Sequence, residues 1–503
     1  MRSSLLFFFA AALACAAERG SLSNRMAQSG TAYLTRAARQ PVGWQPWGRE
    51  AFAIAARLDR PILLYIGADD CGWCARMDRE SYGDPSLGAL IDSLFVAVRV
   101  DRDERPDVAR RYQPALQSLA GLRGYPVTLF LMPDGSPFFG GTYFPKDDPV
   151  TGRGLRQILP EVARSYREQR ATLRRHAALV RQLAGPKSAA ASHGMVQAEL
   201  VDAEIAVVTR RLDVGLRVPE LLWTVPFGQA VGLLFSEYRR SGDTLALRVA
   251  SAALEMLVGS LPAGRAGVES SPEMVRALAL RNIASAWALT AQPALRNAGR
   301  DLARALSRRL ATDDRPVFAD RHAYVIETVI EGAWALGDTV AVEAARAALD
   351  RLLERVFAPD HGVRHAVVGS ITGLLQDQVQ VAGACLAAYE VFGDRRYLDV
   401  AQDLAAVLER DFADPLGGYF DSVQPDPAAP ALAERTKQVL DDVLPGANAW
   451  AAHVLLRLAE ATGEGRYARR AEATLAAFAG VVKDEGIRAA SYLVVAREAL
   501  NRR

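Results

Sequence analysis

Two patterns in the 503 residues predict an α/β domain followed by an all-α domain. In the first, the apolar run Pro61-Ile62-Leu63-Leu64-Tyr65-Ile66 passes through a polar turn into Cys71-Gly72-Trp73-Cys74, after which helical spacing resumes. A short continuous apolar stretch bounded by turn residues reads as a buried strand. In the second, almost everything beyond residue 195 follows a helical period, interrupted by short loops of similar composition. The length fits two or three domains.

The N-terminus has the form of a targeting segment and is kept out of the fold. Arg2 precedes the apolar run Leu5 to Ala14, too short to span a bilayer as a mature helix. Ala12-Leu13-Ala14 and Ala14-Cys15-Ala16 both offer small-residue cleavage sites, so residues 1–17 are expected to be a signal peptide. Leu13-Ala14-Cys15 is also weakly similar to a bacterial lipoprotein cleavage site. The expectation is an exported protein, periplasmic or secreted, with Cys15 as a candidate lipid anchor and no transmembrane segment in the mature chain.

In the first domain, residues 24–185, a Cys-x-x-Cys at a strand-to-helix junction marks a thioredoxin-like redox site. Cys71 would face the helix N-terminus, whose free N–H groups and dipole stabilise a thiolate. Cys74 would lie one turn along, placed to resolve a mixed disulfide. An inert bridge has less to recommend it, since a chain of this length needs no covalent staple. A zinc site would require two further ligands. The remaining cysteines are Cys15 and Cys385, and the six histidines show no ligand spacing beyond His361 and His365. No metal and no cofactor are therefore expected.

Phe95 to Val100 alternates like a strand and ends in the charged run Asp101 to Asp107. That run reads as a solvated loop with helix-capping carboxylates, and Pro106 suits a first helical turn. Gly124-Tyr125-Pro126 leads into a strand from Val127 to Leu131; Pro133-Asp134-Gly135 then turns into a second strand near Pro137 to Phe139. Leu155 to Leu183 reads as one long amphipathic helix. The order strand, Cys-x-x-Cys helix, strand, helix, proline, hairpin is that of a thioredoxin fold. By analogy with that fold, Pro126 would be a cis proline opposite the disulfide. With Tyr125 it would form an edge that docks a thiol-bearing peptide, and Trp73 would cover the site.

Four blocks make the resemblance more specific: Gln40 to Trp47, Cys71-Gly72-Trp73-Cys74 with Met77 to Ser81, Asp101 to Asp107, and Phe138 to Pro145. Together they resemble the spermatogenesis-associated thioredoxin-domain family, which couples a thioredoxin-like domain to an α/α toroid. That family usually has C-H-W-C-H, where Gly72 and Ala75 stand here, and a tryptophan where Tyr125 stands. The two missing histidines remove groups that would depress a thiol pKa. Asp69 and Asp70, just before Cys71, would oppose a thiolate if they approached it.

In the second domain, residues 195–503, helical segments begin near 195, 223, 245, 274, 294, 322, 340, 375, 396, 445, 465 and 486. The loops at Gly242-Asp243, Gly337-Asp338, Gly393-Asp394 and Gly463-Glu464 each follow an apolar helix and precede one rich in alanine and arginine. One copy between 242 and 337 has lost this mark. Twelve helices make six hairpins, which could form an open solenoid or close; the family resemblance implies an all-α (α/α)6 toroid.

A glycosidase mouth needs two carboxylates, for which Glu327, Asp377, Asp441 and Asp442 are available; an epimerase would draw on His322, His365 or His453. His322, Asp377 and Asp442 are the candidates retained, each with a plain alternative as a cap, core polar group or solvated side chain. Asp441 to Ala449 resembles the family's D-G-x-x-P-S-G-N-S block without its glycine and serines, and the family's glycine-rich blocks are not recognisable. A binding or scaffold toroid is the expected reading.

The net charge of +2 and the lack of a basic stripe interleaved with aromatics exclude nucleic acid as an expected partner. Only Lys146, Lys187, Lys437 and Lys483 are lysines among 60 basic residues, a skew that reflects base composition. The favoured function is an exported thiol-disulfide oxidoreductase acting on thiol- or disulfide-bearing proteins. The alternative is a toroid that binds, isomerises or hydrolyses a saccharide at its mouth, with an accessory thioredoxin-like domain. A third is a non-catalytic interaction protein.

Overall fold

A computed structural model describes residues 22–502 except 152, 185–192, 219–226, 262–271, 313–316 and 368–370. The expected signal peptide and Cys15 lie outside the described residues. The chain divides into two compact units: Met1–Gly185 with Pro425–Glu434, and Pro186–Gln424 with Arg435–Arg503. Among the described residues no helix is long and apolar enough to cross a membrane.

The first unit is built on a five-stranded sheet. Its elements are α1 (Ala32–Arg36), β1 (Gln45–Pro46), α2 (Arg49–Leu58), β2 (Ile62–Gly67), α3 (Gly72–Glu80), α4 (Pro85–Leu94), β3 (Val96–Asp101), α5 (Pro106–Ala120), β4 (Val127–Leu131), β5 (Pro137–Gly141), α6 (Leu155–Glu168) and α7 (Arg170–Ala184). The strand order is β1-β3-β2-β4-β5, with β1, β3 and β2 parallel and β4 and β5 antiparallel. β2 and β3 are buried at every position, which is why β2 reads as a continuous apolar run, while β3 buries Arg99 and Asp101 among its apolar residues. The two-residue period sorts their side chains into two cores. Leu63, Tyr65, Ala97 and Phe130 pack on one face with Trp44, Met77 and Tyr82; Leu64, Ile66, Val98 and Leu129 pack on the other with Phe52, Tyr112 and both cysteines.

The segment expected as one helix, Leu155 to Leu183, is two. α6 stops at Gln169, whose φ of −120° and ψ of 27° leave the helical region. Arg170 then lies over the Tyr166 ring and pairs with Asp59 at 2.8 Å, and the redirected α7 buries Ala177 and Val180. Pro425–Glu434, from the far end of the sequence, folds with this unit. Asp426 accepts from Trp47 Nε1 at 2.9 Å and pairs with Arg105 at 2.7 Å, and the Ala431 amide donates to Asp134 O.

Among the described residues the second unit has twelve α-helices: α8 (Ala198–Arg217), α9 (Gly228–Ser241), α10 (Thr244–Ser260), α11 (Pro272–Thr290), α12 (Pro293–Leu310), α13 (Ala319–Leu336), α14 (Thr339–Val356), α15 (Leu375–Phe392), α16 (Arg395–Val407), α17 (Ala447–Thr462), α18 (Gly465–Ala476) and α19 (Ala490–Asn501). The strands β6 (Phe357–Ala358) and β7 (Gly362–Val363) form a small hairpin after α14. Helices α9, α11, α13, α15, α17 and α19 each pack on the next, and α19 packs back on α9, so the inner ring closes. This is an (α/α)6 toroid. Five hairpins are contiguous in sequence; the sixth is formed by the first helix, α8, and the last, α19.

Inner and outer helices differ as their surroundings require. α15 is buried from Leu375 through Ala388 without interruption, whereas outer α16 buries a stripe of Tyr397, Leu398, Ala401, Leu404 and Ala405. The recurring glycines explain the loops. Gly242, Gly337, Gly393 and Gly463 end inner helices with φ of 74°, 72°, 68° and 74°, the left-handed C-cap that glycine adopts without a Cβ penalty. The copy without the mark is at Ala291, which takes the same role with φ 50°.

Candidate functional site

The Cys71–Cys74 pair is a disulfide, S–S 2.09 Å, at the start of α3. Cys71 is the N-cap residue, and its Sγ accepts from the Cys74 amide at 3.1 Å. That N–H belongs to the helix's unsatisfied first turn and would bond a Cys71 thiolate equally well. No acidic residue occupies that first turn.

Asp69 and Asp70 do not act as free charges beside the sulfur. Asp69 pairs with Arg36 at the surface, and Asp70 pairs with the buried Arg102 at 2.7 Å. Arg102 also pairs with Asp103 at 2.7 Å and places its guanidinium 5.0 Å from the centre of the Tyr125 ring. The charged run expected as a solvated loop therefore begins inside the protein: Asp101 and Arg102 are each 3% exposed. The reason is local. Gly67 and Asp101 are register partners at the ends of β2 and β3, and the Arg102 amide donates to Gly67 O at 2.7 Å. Burial, with Asp103 alongside, pushes the Asp101 carboxyl up to about 7.

The Tyr125–Pro126 bond is cis, and Tyr125 is buried. Trp73, 39% exposed, projects from the first turn of α3. Its ring lies 5.0 Å from that of Tyr143, and the Arg76 guanidinium stands 5.4 Å and 5.5 Å from the two ring centres. Glu80 ties this platform together, accepting from Arg76 at 2.9 Å and from the Tyr143 hydroxyl at 2.7 Å. Two of the four sequence blocks thus meet beside the disulfide.

Behind α3 lies a layer that sequence reasoning did not pick out. Arg99, on β3, is fully buried and bonds both oxygens of Asp78 at 2.7 Å. Its guanidinium also stacks 4.4 Å from the Tyr33 ring centre and 5.0 Å from that of Tyr65. The Tyr65 hydroxyl donates to Cys74 O at 3.4 Å. The available signal was Asp78 at one helical turn beyond Cys74, together with an arginine at a buried strand position.

In the toroid, Asp377 is fully buried and bonds His365 Nδ1 at 2.9 Å. With Asp320 they form a buried group whose ligand-type atoms lie within 4.8 Å of one another, the one such group among the described residues that could hold a cation. Glu327 is buried inside the ring and paired to Arg457 at 3.0 Å; burial and Glu331 raise its pKa against the pull of Arg281 and Arg457. Asp441 accepts from the Gly446 and Ser491 amides at 2.9 Å each. His453 bonds Glu498 at 3.1 Å. His322 and Asp442 are partly exposed, His322 in the first turn of α13 and Asp442 in the loop before α17. Of the three retained candidates, Asp377 sits in a bonded carboxylate–imidazole pair with His365.

Residues 23–184 match the family model described as Protein of unknown function, DUF255 (Thioredox_DsbH). This stretch of the first domain is similar to that thioredoxin-like family. It is 39% identical over 150 residues to Spermatogenesis-associated protein 20 of Homo sapiens, a match covering 30% of this chain and 19% of that protein. An uncharacterized protein of Caenorhabditis elegans is 37% identical over 166 residues, 33% of this chain and 23% of that one. The chain thus spans about a fifth of the length of these curated relatives. The resemblance carried by the four sequence blocks is to this same DUF255 group.

Among solved structures, an unsaturated glucuronyl hydrolase specific for heparin aligns with a TM-score of 0.46 and 14% identity, over 61% of this chain and 98% of that one. A sugar epimerase from a ruminal bacterium aligns with a TM-score of 0.39 and 12% identity, over 49% of this chain and 73% of that one.

Proposed function

We propose that this chain is an exported thiol-disulfide oxidoreductase, periplasmic or secreted, in which the DUF255 domain carries the chemistry and the toroid serves as a binding or scaffold domain. The observation that carries the reading is the Cys71–Cys74 disulfide at the head of α3, with the Cys74 amide directed at Cys71 Sγ. In the reducing direction, the Cys71 thiolate attacks one sulfur of a substrate disulfide. The other substrate sulfur leaves as a thiolate and takes a proton. The Cys74 thiolate then attacks Cys71 Sγ, the substrate's second sulfur leaves, and the enzyme disulfide forms. Run backwards, the same two exchanges oxidise a substrate dithiol.

Tyr125 and Pro126 form the docking edge in this reading, and the Trp73–Tyr143 platform supplies apolar surface to a substrate peptide. The loss of the family's two histidines leaves the helix N-terminus as the main support for a Cys71 thiolate. The scaffold reading of the toroid is supported by the pairing of its buried carboxylates, Asp377 with His365 and Glu327 with Arg457.

The test is reduction of insulin by the full chain with dithiothreitol as electron donor. Activity is expected, and Cys71→Ser abolishes it; activity that survives Cys71→Ser overturns the assignment. Cys74→Ser is expected to accumulate mixed disulfides, and mass spectrometry of the adducts names the partner proteins.

A further inference from the structure

The Tyr33 hydroxyl is fully buried and makes no hydrogen bond of good geometry in the disulfide form of the protein, although the Tyr65 hydroxyl is near enough to act on it. A buried hydroxyl left without a partner is costly, and most find one. Its surroundings show what it faces. A Cβ placed on Gly67 would stand 2.0 Å from the Tyr33 hydroxyl oxygen and 3.2 Å from Cys74 Sγ. The hydroxyl and the sulfur therefore converge on one spot at the end of β2, which stays open to them because residue 67 is glycine. The neighbouring Tyr65 spends its own proton elsewhere, its hydroxyl donating to Cys74 O. Tyr33 is held there from behind, its ring carrying the Arg99 guanidinium, which Asp78 anchors.

We propose that Tyr33 is a positioning residue for the resolving thiol, its hydroxyl donating a hydrogen bond to Cys74 Sγ when the disulfide is reduced. The inference rests on the redox reading of the Cys71–Cys74 pair and deepens it. Reduction by an external dithiol breaks the S–S bond, delivers two electrons and two protons to the two sulfurs, and leaves the donor as a disulfide. The freed Cys74 sulfur is then an acceptor, stronger still as a thiolate, and offers the Tyr33 hydroxyl a well-formed bond that the disulfide form lacks. Burial holds the Tyr33 pKa well above its ordinary value, so the hydroxyl keeps its proton as a donor. Interactions present in one redox state alone shift the equilibrium between the two, and this one favours the dithiol.

The experiment compares the full-length chain with Tyr33→Phe in glutathione redox buffers, with thermal unfolding of each protein measured oxidised and reduced. Phenylalanine keeps the ring under Arg99 and removes only the hydroxyl. The expected result is a shift of about tenfold toward the disulfide, a potential more negative by about 30 mV, with the oxidised form no less stable than wild type. An unchanged potential, or equal destabilisation of both forms, overturns the role of Tyr33 while leaving the redox reading intact. A wild-type pair that dithiothreitol cannot reduce overturns the redox reading, and this inference with it. Gly67→Ala, which wedges a methyl group between the two atoms, is expected to shift the potential the same way.

Discussion

Arg99 holds Asp78 through two bonds of 2.7 Å, and the arginine is 1% exposed at the centre of the first domain. Asp78 comes from the helix that begins at Cys71, Arg99 from the strand beside the one that leads into it. The pair locks the cysteine helix to the sheet. The same guanidinium lies over Tyr33, Trp44 and Tyr65, so one buried cation is ringed by three aromatic side chains behind the cysteine helix.

Removing one partner of such a pair leaves the other charge buried and uncompensated. Asp78→Asn is expected to cost about 3 kcal/mol of stability, read as a lower denaturant midpoint for the first domain. By contrast, Arg36→Ala, which releases the exposed Asp69, is expected to change it by less than about 1 kcal/mol. Equal effects would show that burial is not what distinguishes the two pairs.

Ala291 holds the left-handed position that glycine occupies in four sibling hairpins. A Cβ there is strained, so Ala291→Gly is expected to stabilise the toroid by about 1 kcal/mol. A raised unfolding midpoint checks it. A lowered one would mean that glycine's unfolded-state entropy outweighs the relieved strain.

Asp441 is fully buried and its pKa is pushed up to about 6, burial outweighing the amides of Ser491 and Gly446 that bond it. In the unfolded chain it titrates near 4. Between those values the folded state holds more protons than the unfolded one, so stability falls as pH rises from 4 to 6. The fall attributable to this group is about 3 kcal/mol. Asp441→Asn is expected to lose that slope, whatever its offset in stability, in urea titrations repeated across this pH range.

What could be read from the sequence was local. The strand, turn and Cys-x-x-Cys helix lie within twenty residues, and the twelve helices announce themselves by period and by glycine caps. Ala291 hid its hairpin because alanine rarely takes that conformation. The layer behind the disulfide was hidden for a different reason: Arg99, Tyr33 and Asp78 come from β3, α1 and α3 and meet only in the folded domain. Asp101 and Arg102 misled because a charge run ordinarily lies in water, and here the register partner Gly67 draws its first two residues inside. Closure of the ring by α19 on α9, with α8 as the outer partner of α19, joins opposite ends of the second domain, which no local pattern records.

The reduction potential of the Cys71–Cys74 pair is the most direct measurement, taken by equilibrating the full chain with glutathione buffers and trapping free thiols. A value between about −120 and −270 mV, the range of disulfide-exchanging enzymes, is expected. A value below about −300 mV, where structural bridges resist reduction, would contradict a redox role and make the disulfide an inert staple.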